Sequence, residues 1–429
     1  MRDGSLMIKS IKASNFKTFN ELDVNLNEIN ILIGANASGK SNFIDAFRFI
    51  RDIAAYGLKN AISMQGGMES LRNVYNDNKD ISLVIQLRGN DIFIKKIKAN
   101  LTALKVTDLT YSFALTHLDD YENFRISSDE LFINYEFFKL ESVKDLKDEK
   151  KLIAKIEDKR GFIDVGSLRI INSDGKLEYE FKTPDSIPER EIISPMFKDI
   201  KIPHNSLIVE RQIFMPPLPP LVEQLKNISI YDFDPKLCKK AVSITGKKDL
   251  EEDGSNLAIV LKNITENPDD YRKFLNLIKD VLPFIDKIKT EKLADKSFFF
   301  NLSEIYEKSK FFPASALSDG TINITAIIAA LYFERKPFII IEEPERNIHP
   351  YLISRVVSML RDASRNKQII ITTHNAQMVK HSNMEDLLLI SRNAKGFSEI
   401  SRPAENKEVM SFLRENLGLD ELYINSLLE

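Results

Sequence analysis

The chain has a single cysteine, Cys238, among its 429 residues. It can therefore form no internal disulfide, and it has no cysteine-based metal site or zinc-hook pair. Long hydrophobic runs are missing too. The most apolar stretch, 322–333, is far short of the roughly 20 residues that span a bilayer. The opening MRDGSLMIKS carries Asp3 and no apolar segment of the signal-peptide kind. No internal repeat is evident, and neither sign of charge prevails. Against 60 Lys and Arg stand 63 Asp and Glu, a net charge of −3 that argues neither for nor against nucleic acid. What is present, 43% hydrophobic and 29% charged residues, marks an ordered globular chain. Its length suffices for two or three domain-sized units. The expected location is cytoplasmic, with no membrane partner.

Periodicity then divides the chain. Met7 to Ala13, Leu22 to Leu26 and Ile29 to Ile33 read as strands, the last a buried run ending at a glycine. A helix follows with Phe43, Phe47, Ile50 and Ala54 on one face. From about 80 to 182 the period is two: ISLVIQL, DIFIKKI, LTYSFAL, ELFINYEFF, DVGSLRII and LEYEFK. The last two flank Ser173-Asp174-Gly175, a hairpin turn. KDLKDEKKLIAKIEDKR (144–160) predicts a short exposed helix. The proline-rich 203–220 reads as an extended crossing, and 250–310 returns to helical spacing. A βαβ unit closes the pattern: FIII, a helix over 351–365 with Leu352, Val356, Val357 and Leu360 inward, then IIIT.

Four short segments carry chemistry. GANASGKS (34–41) follows a buried strand and opens a helix, the setting that a phosphate loop needs. Backbone N–H groups of Gly34, Asn36, Ser38, Gly39 and Asn42 would cradle phosphates. Lys40 would reach the β- and γ-phosphates, and the Ser41 hydroxyl would hold Mg²⁺. FIIIEEPE (338–345) is an apolar strand ending in two carboxylates, which a core strand does not carry without reason. Glu342 is placed for the Mg²⁺ shell and Glu343 for polarising an attacking water. ALSDGT (316–321) enters a helix with Ile324, Ile327, Ile328 and Leu331 on its core face. Ser318 is a good N-cap, and Gly320 lets backbone approach a ligand. IIITTHN (369–375) is a second buried strand that ends at His374, a group able to hydrogen-bond a γ-phosphate. Alone, the acidic pair reads as a solvated loop, LSDGT as a helix cap and His374 as structural; in this order along one chain they read as one site.

Together these segments resemble the ABC-type ATPases of the RecF, SMC and OLD group, above all a stand-alone branch of AAA-type ATPases with an LSDGT signature. NFKTF (15–19), GGMESLRN (66–73), IYDFDP (230–235), EEDGSNLAIVLKNI (251–264) and GLDELY (418–423) extend the resemblance over nearly the whole chain. It implies an α/β fold, a P-loop NTPase head of the ABC type (SMC/RecF-like) with an antiparallel β lobe and a helical lobe. It also implies ATP and Mg²⁺ as ligands. Ser318 and Gly320 would contact the γ-phosphate of ATP held by a second copy, and His349 would lie in the loop that crosses the dimer interface. Three features depart from the pattern. Glu342 stands where transporters and SMC proteins use aspartate. Asp319 and Thr321 stand where the commonest signature has Gly and Gln. The Q-loop glutamine is open among Gln65, Gln86 and Gln212.

The expected domains are 1–80 and 311–429 as the two halves of the ATPase core, 81–230 as an inserted β-rich lobe, and 231–310 as a helical lobe. The 278 positions from Lys40 to Ser318 are too many for a transporter subunit and too few for SMC arms. The 55 residues after His374 are too few for an appended nuclease. The expected function is an ATP-hydrolysing switch that dimerises around ATP and serves a separately encoded effector such as a nuclease, as in phage defence. A RecF-like DNA-binding ATPase of repair is the alternative, and a transporter subunit a distant one. Two lysine clusters bear on DNA: Lys95, Lys96, Lys98 and Lys105, and Lys236, Lys239 and Lys240 beside Lys247 and Lys248. They read either as a solvated face or as a phosphate-contacting surface.

Overall fold

The computed structural model describes residues 7–76, 80–97, 100–118, 124–140, 149–213, 215–243, 247–407, 409 and 418–428. The chain separates into two compact units. One comprises Met1–Leu26, Ser41–Asn227 and Arg392–Glu399; the other comprises Asn27–Lys40, Ile228–Ser391 and Ile400–Glu429.

Alternating sequence builds the first unit. Its eight-stranded sheet runs β2 (Phe19–Asn25), β1 (Met7–Phe16), β4 (Asp80–Arg88), β6 (Asn100–His117), β7 (Phe124–Leu140), β8 (Phe162–Ser173) and β9 (Lys176–Lys182), with β5 (Ile92–Ile97) paired to β6. Every pairing is antiparallel. In β4 the buried residues are Ile81, Leu83, Ile85 and Leu87, every second position, as a sheet with one covered face requires. Ser173 pairs with Lys176, and Asp174 and Gly175 take φ of 54° and 86°, so the expected hairpin turn is of the two-residue kind with both central residues left-handed. The helix Lys40–Tyr56 buries Phe43, Phe47, Ile50 and Ala54 as its spacing predicts, and sets Phe49 against Phe16 and Phe113.

Two expectations change here. The antiparallel sheet does not begin near residue 80: it takes in Met7–Asn25, because the alternating face of β1 pairs with both β2 and β4. The helix within 144–160 spans Glu149–Glu157 and is not simply exposed, and 144–148 lie outside the described residues. Leu152 and Ile156, one turn apart, are buried with Ala103, Phe138 and Leu140.

The second unit is built on a parallel sheet of order β10 (Ile228–Tyr231), β15 (Phe338–Glu342), β16 (Gln368–Thr372), β3 (Ile29–Ile33), β17 (Leu387–Arg392) and β18 (Ser398–Ser401). The pairs β10–β15, β15–β16, β16–β3 and β3–β17 are all parallel. Strands buried on both faces should read as near-continuous apolar runs, and FIII, IIIT and INILI do. The polar exception, Asn30, is fully buried; it exchanges hydrogen bonds with the backbone of Asn27 at 2.9 Å. Helices Asp319–Tyr332 and Pro350–Ser364 bury their apolar faces in the same core.

The segment 231–310 is only partly helical. After helices Leu257–Glu266 and Pro268–Val281 come β12 (Ile285–Lys292), β13 (Ser297–Glu304) and β14 (Glu307–Pro313), which with β11 (Val242–Ser243) form a four-stranded antiparallel sheet. The run SFFFNLSE is rich in aromatic residues, which favour strands, and β13 is the strand that pairs with all three others. Among the described residues no helix is long and apolar enough to cross a membrane.

Asp91, between β4 and β5, has a buried Oδ2 with no hydrogen-bond partner among the described residues. Burial pushes its carboxyl up to about 6. A raised pKa in the folded state favours the protonated form. That contribution is complete below about pH 4 and is lost as pH rises through about 6. Asp91→Asn should therefore stabilise the protein at pH 7.5 by about 1–2 kcal/mol, the linkage energy discounted for solvent screening. The gain should vanish near pH 4. Urea unfolding at both pH values measures it, and equal stability of variant and wild type at pH 7.5 would refute the assignment.

Candidate nucleotide-binding site

The phosphate loop leaves the carboxyl end of β3. Gly34 has φ 149°, and a Cβ there would lie 2.2 Å from the carbonyl oxygen of Ile390, so no other residue fits. Ala37 and Gly39 also take positive φ, 62° and 120°, as the chain curls back on itself before the helix opens at Lys40. The Lys40 amine donates to the carbonyls of Gly34 (2.7 Å) and Ala35 (2.9 Å), closing the loop around its own cation. Burial lowers the Lys40 pKa, and the charge of Glu343 acts in the opposite direction. Lys40 and Glu343, 303 positions apart in sequence, are thus electrostatic neighbours.

The register of β15 on β16 sets the acidic end of the site. Glu342 lies opposite Thr372, and the Glu343 N–H donates to the Thr372 carbonyl at 3.0 Å. Glu343 adopts φ 44°, an unusual left-handed conformation for a residue with a long side chain. That turn brings its Oε1 to 3.0 Å from His374 Nδ1, while its Oε2 accepts from Arg346 Nε and Nη2 at 3.3 and 3.2 Å. Arg346 is held in turn by Asp232 Oδ1, 2.8 Å from its Nη1. Glu345, almost wholly buried, accepts from the Thr373 hydroxyl at 2.5 Å, and burial raises its pKa.

The signature segment is tied to the same loop. Ser318 caps the helix Asp319–Tyr332, its hydroxyl accepting from Thr321 N–H at 3.2 Å and lying 2.8 Å from Thr321 Oγ1. Gly320 passes so close to the backbone that a Cβ would meet the Asn347 carbonyl at 2.5 Å. One turn on, buried Asn323 donates to the carbonyls of Pro344 (3.1 Å) and Arg346 (2.8 Å). His349 caps the helix Pro350–Ser364, its Nδ1 accepting from Tyr351 N–H at 3.3 Å.

Lys40, Glu343 and His374 are therefore brought together, with Glu342 beside them in β15. Gly34, Asn36, Ser38 and Gly39 form the loop ahead of Lys40. Ser41 and Asn42 follow it in the helix, where the Asn42 amide donates to Thr18 Oγ1 at 2.8 Å. Ser318, Gly320 and His349 do not join the cluster: among the described residues none of them hydrogen-bonds Lys40, Glu343 or His374. Arg346, Asp232, Thr373 and Asn323 were missed by sequence reasoning. Thr373 and Asp232 lay inside the quoted segments IIITTHN and IYDFDP, and Arg346 directly follows FIIIEEPE. Tyr423, within GLDELY, lies in the helix Leu419–Ile424; burial raises its pKa, and the Gly34 backbone acts in the opposite direction.

Of the open Q-loop candidates, Gln86 accepts from the Ser10 hydroxyl at 2.9 Å within the antiparallel sheet, and Gln65 caps the helix Leu58–Met64. The oxygen of Gln212 is buried in the first unit. The lysine clusters fall in separate units, and several members are engaged. Lys95 donates to the Ile192 carbonyl at 3.0 Å, Lys239 to Asp319 at 2.6 Å, and Lys247 to Glu251 at 3.4 Å. Lys98 lies outside the described residues.

A parallel sheet, a glycine-bounded loop closed by Lys40 and a strand ending in paired carboxylates are the elements of a P-loop nucleotide-binding domain. A family model described as "AAA domain, putative AbiEii toxin, Type IV TA system" matches residues 29–379, and the chain belongs to this family. No curated protein matches the sequence. Among solved structures the chain is similar to an Smc head domain with an extended coiled coil bound to the C-terminal domain of ScpA, from Pyrococcus furiosus, at 13% identity over 96% of this chain and 99% of that one, with a TM-score of 0.46. It is also similar to an Smc head domain with a coiled coil and joint from Pyrococcus yayanosii, at 11% identity over 96% and 99%, with a TM-score of 0.47. For the SMC head domain from Thermotoga maritima the values are 13%, 94%, 99% and 0.39.

Asn323→Ala would leave the Pro344 carbonyl, which is buried, and the Arg346 carbonyl, which is partly so, without their donor. Its expected effect is a loss of about 2–3 kcal/mol in unfolding free energy. Denaturant titration measures it, and a loss under about 0.5 kcal/mol would show that the turn stands without Asn323.

Proposed function

We propose that the protein hydrolyses ATP to ADP and phosphate, with ATP held between two copies of the chain. One observation carries this reading: the Glu343 Oε1 lies 3.0 Å from His374 Nδ1, at the end of β16, which pairs with the strand that leads into the loop of Lys40. A cation for the triphosphate, a base and a second polar group for the attacking water thus share one place. The loop fits a triphosphate, because its backbone accepts no Cβ at Gly34 and the Lys40 amine now rests on carbonyls that a phosphate would replace. Ser41 and Glu342 are oxygen donors of the kind Mg²⁺ prefers and would hold it. When bound, Mg²⁺ supplies positive charge that offsets the charge on the phosphate oxygens.

Glu343 takes a proton from the attacking water, which it and His374 orient. The water oxygen bonds to the γ-phosphorus as the bond to the β,γ-bridging oxygen breaks, and ADP leaves. Lys40 stabilises the charge that develops on the transferred group. The Ser318 hydroxyl is occupied in its own helix cap and makes no bond to this cluster, which supports a second copy as the source of the signature contact. ATP then joins two subunits and its hydrolysis releases them. The output we propose is control of a separately encoded effector; what supports this reading is the mention of a Type IV TA system in the family description.

Lys40→Ala should abolish binding of a fluorescent ATP analogue, and Glu343→Gln should bind it yet turn over roughly 10²–10⁴-fold more slowly. Mixing Lys40→Ala with Ser318→Arg subunits tests sharing. Each is inactive alone, and the mixed dimer has one intact composite site, so partial recovery of ATPase activity is expected. Mixed dimers without recovery would mean that each subunit works alone.

A further inference from the structure

The signature carries a charge that a triphosphate should repel. Asp319 is the first residue of the helix Asp319–Tyr332, between Ser318 and Gly320, and its side chain is 43% exposed. Next to a helix N-terminus a carboxylate is favourable for the isolated chain. With the γ-phosphate of a second copy at the signature, the same carboxylate would be a like charge beside it.

The Lys239 amine lies 2.6 Å from Asp319 Oδ1, and its side chain is only 19% exposed. Lys236 and Lys240, its neighbours, are exposed. The backbone that presents Lys239 is held from both ends. The Asp234 carboxylate caps the short helix Pro235–Cys238 by accepting from Lys236 N–H at 2.8 Å, and the Asp234 N–H donates to the Asp253 carbonyl at 3.0 Å. Cys238, wholly buried, packs where a Cβ on Gly254 would meet its Sγ at 2.5 Å, and Gly254 takes φ 74°. A lysine on a mobile stem would lose rotamer freedom to make this pair; one on a braced backbone loses less.

We propose that Lys239 is a positioning residue for the dimer: it neutralises Asp319 so that the signature can receive the partner's triphosphate. This rests on the reading of the signature as a contact made between two copies. It assigns a role to the IYDFDP–KLCKK segment, which lies about 80 positions before the signature. Lys239 then acts on Asp319, with no phosphate contact of its own, and that makes the two residues interdependent. An uncompensated carboxylate near a triphosphate in partly screened surroundings should weaken ATP-held dimerisation about 10–100-fold.

The test uses the full chain with Glu343→Gln, which holds ATP, and measures the dimer dissociation constant by sedimentation in ATP and Mg²⁺. Lys239→Ala and Lys239→Gln should each raise it about 10–100-fold, while affinity for a fluorescent ATP analogue at monomer concentrations changes less than about three-fold. Lys239→Arg should dimerise like the parent. Adding Asp319→Asn to Lys239→Gln should restore dimerisation to within a few-fold, which a loss of local structure would not allow. Unchanged dimerisation in the Lys239 variants, or failure of Asp319→Asn to restore it, overturns the proposal and leaves the shared ATP site standing. A Glu343→Gln parent that binds ATP and stays monomeric overturns both.

Discussion

The site depends on the parallel register of β15 on β16. Glu342 opposite Thr372 puts the Glu343 N–H on the Thr372 carbonyl, and the chain ends both strands at the same level. A slip of one residue would move Glu343 by about 3.3 Å and turn its side chain to the opposite face. His374 would then have no carboxylate to meet. Isoleucines at 339, 340, 341, 369, 370 and 371, all fully buried, resist that slip through packing on both faces of the sheet.

At the end of this register the backbone accepts an unfavourable conformation. Glu343 at φ 44° is offset by its N–H bond to Thr372 and by the Arg346 guanidinium on its free oxygen. Asp232, just past β10, then holds Arg346. A chain of polar contacts thus crosses three neighbouring strand ends, from Asp232 through Arg346 and Glu343 to His374. Asn323 and Gly320 bind the signature helix to the same turn, one by donating to two carbonyls and one by having no Cβ. Signature and carboxylate strand are far apart in sequence, yet in the second unit these contacts join them at one turn.

Much of this was legible because the physical signals were local. Buried parallel strands are unbroken apolar runs, and alternation at every second residue marks a sheet covered on one face, so β3, β4, β15 and β16 could be read directly. The hairpin at Ser173-Asp174-Gly175 was legible because only residues tolerant of positive φ make such a turn. The region 285–313 misled because aromatic and charged residues there satisfy helical spacing as well as strand pairing, and only β13 between its partners decides the matter. The helix Glu149–Glu157 looked solvated because a few apolar residues among many charges do not reveal whether a surface exists to receive them.

The sequence by itself specified which groups are candidates for phosphate chemistry. A glycine loop before a lysine, two carboxylates closing an apolar strand and a histidine closing the next are each specified by residue type and immediate neighbours. Tertiary structure alone decided what holds those groups in place. It drew Met7–Asn25 into the antiparallel sheet, set Arg346 between Asp232 and Glu343, and paired Lys239 with Asp319 rather than leaving it to solvent. Hydrogen bonds and ion pairs between residues scores of positions apart leave no periodic trace. Any acid and any base could have met, and only the packing of the core selected which did.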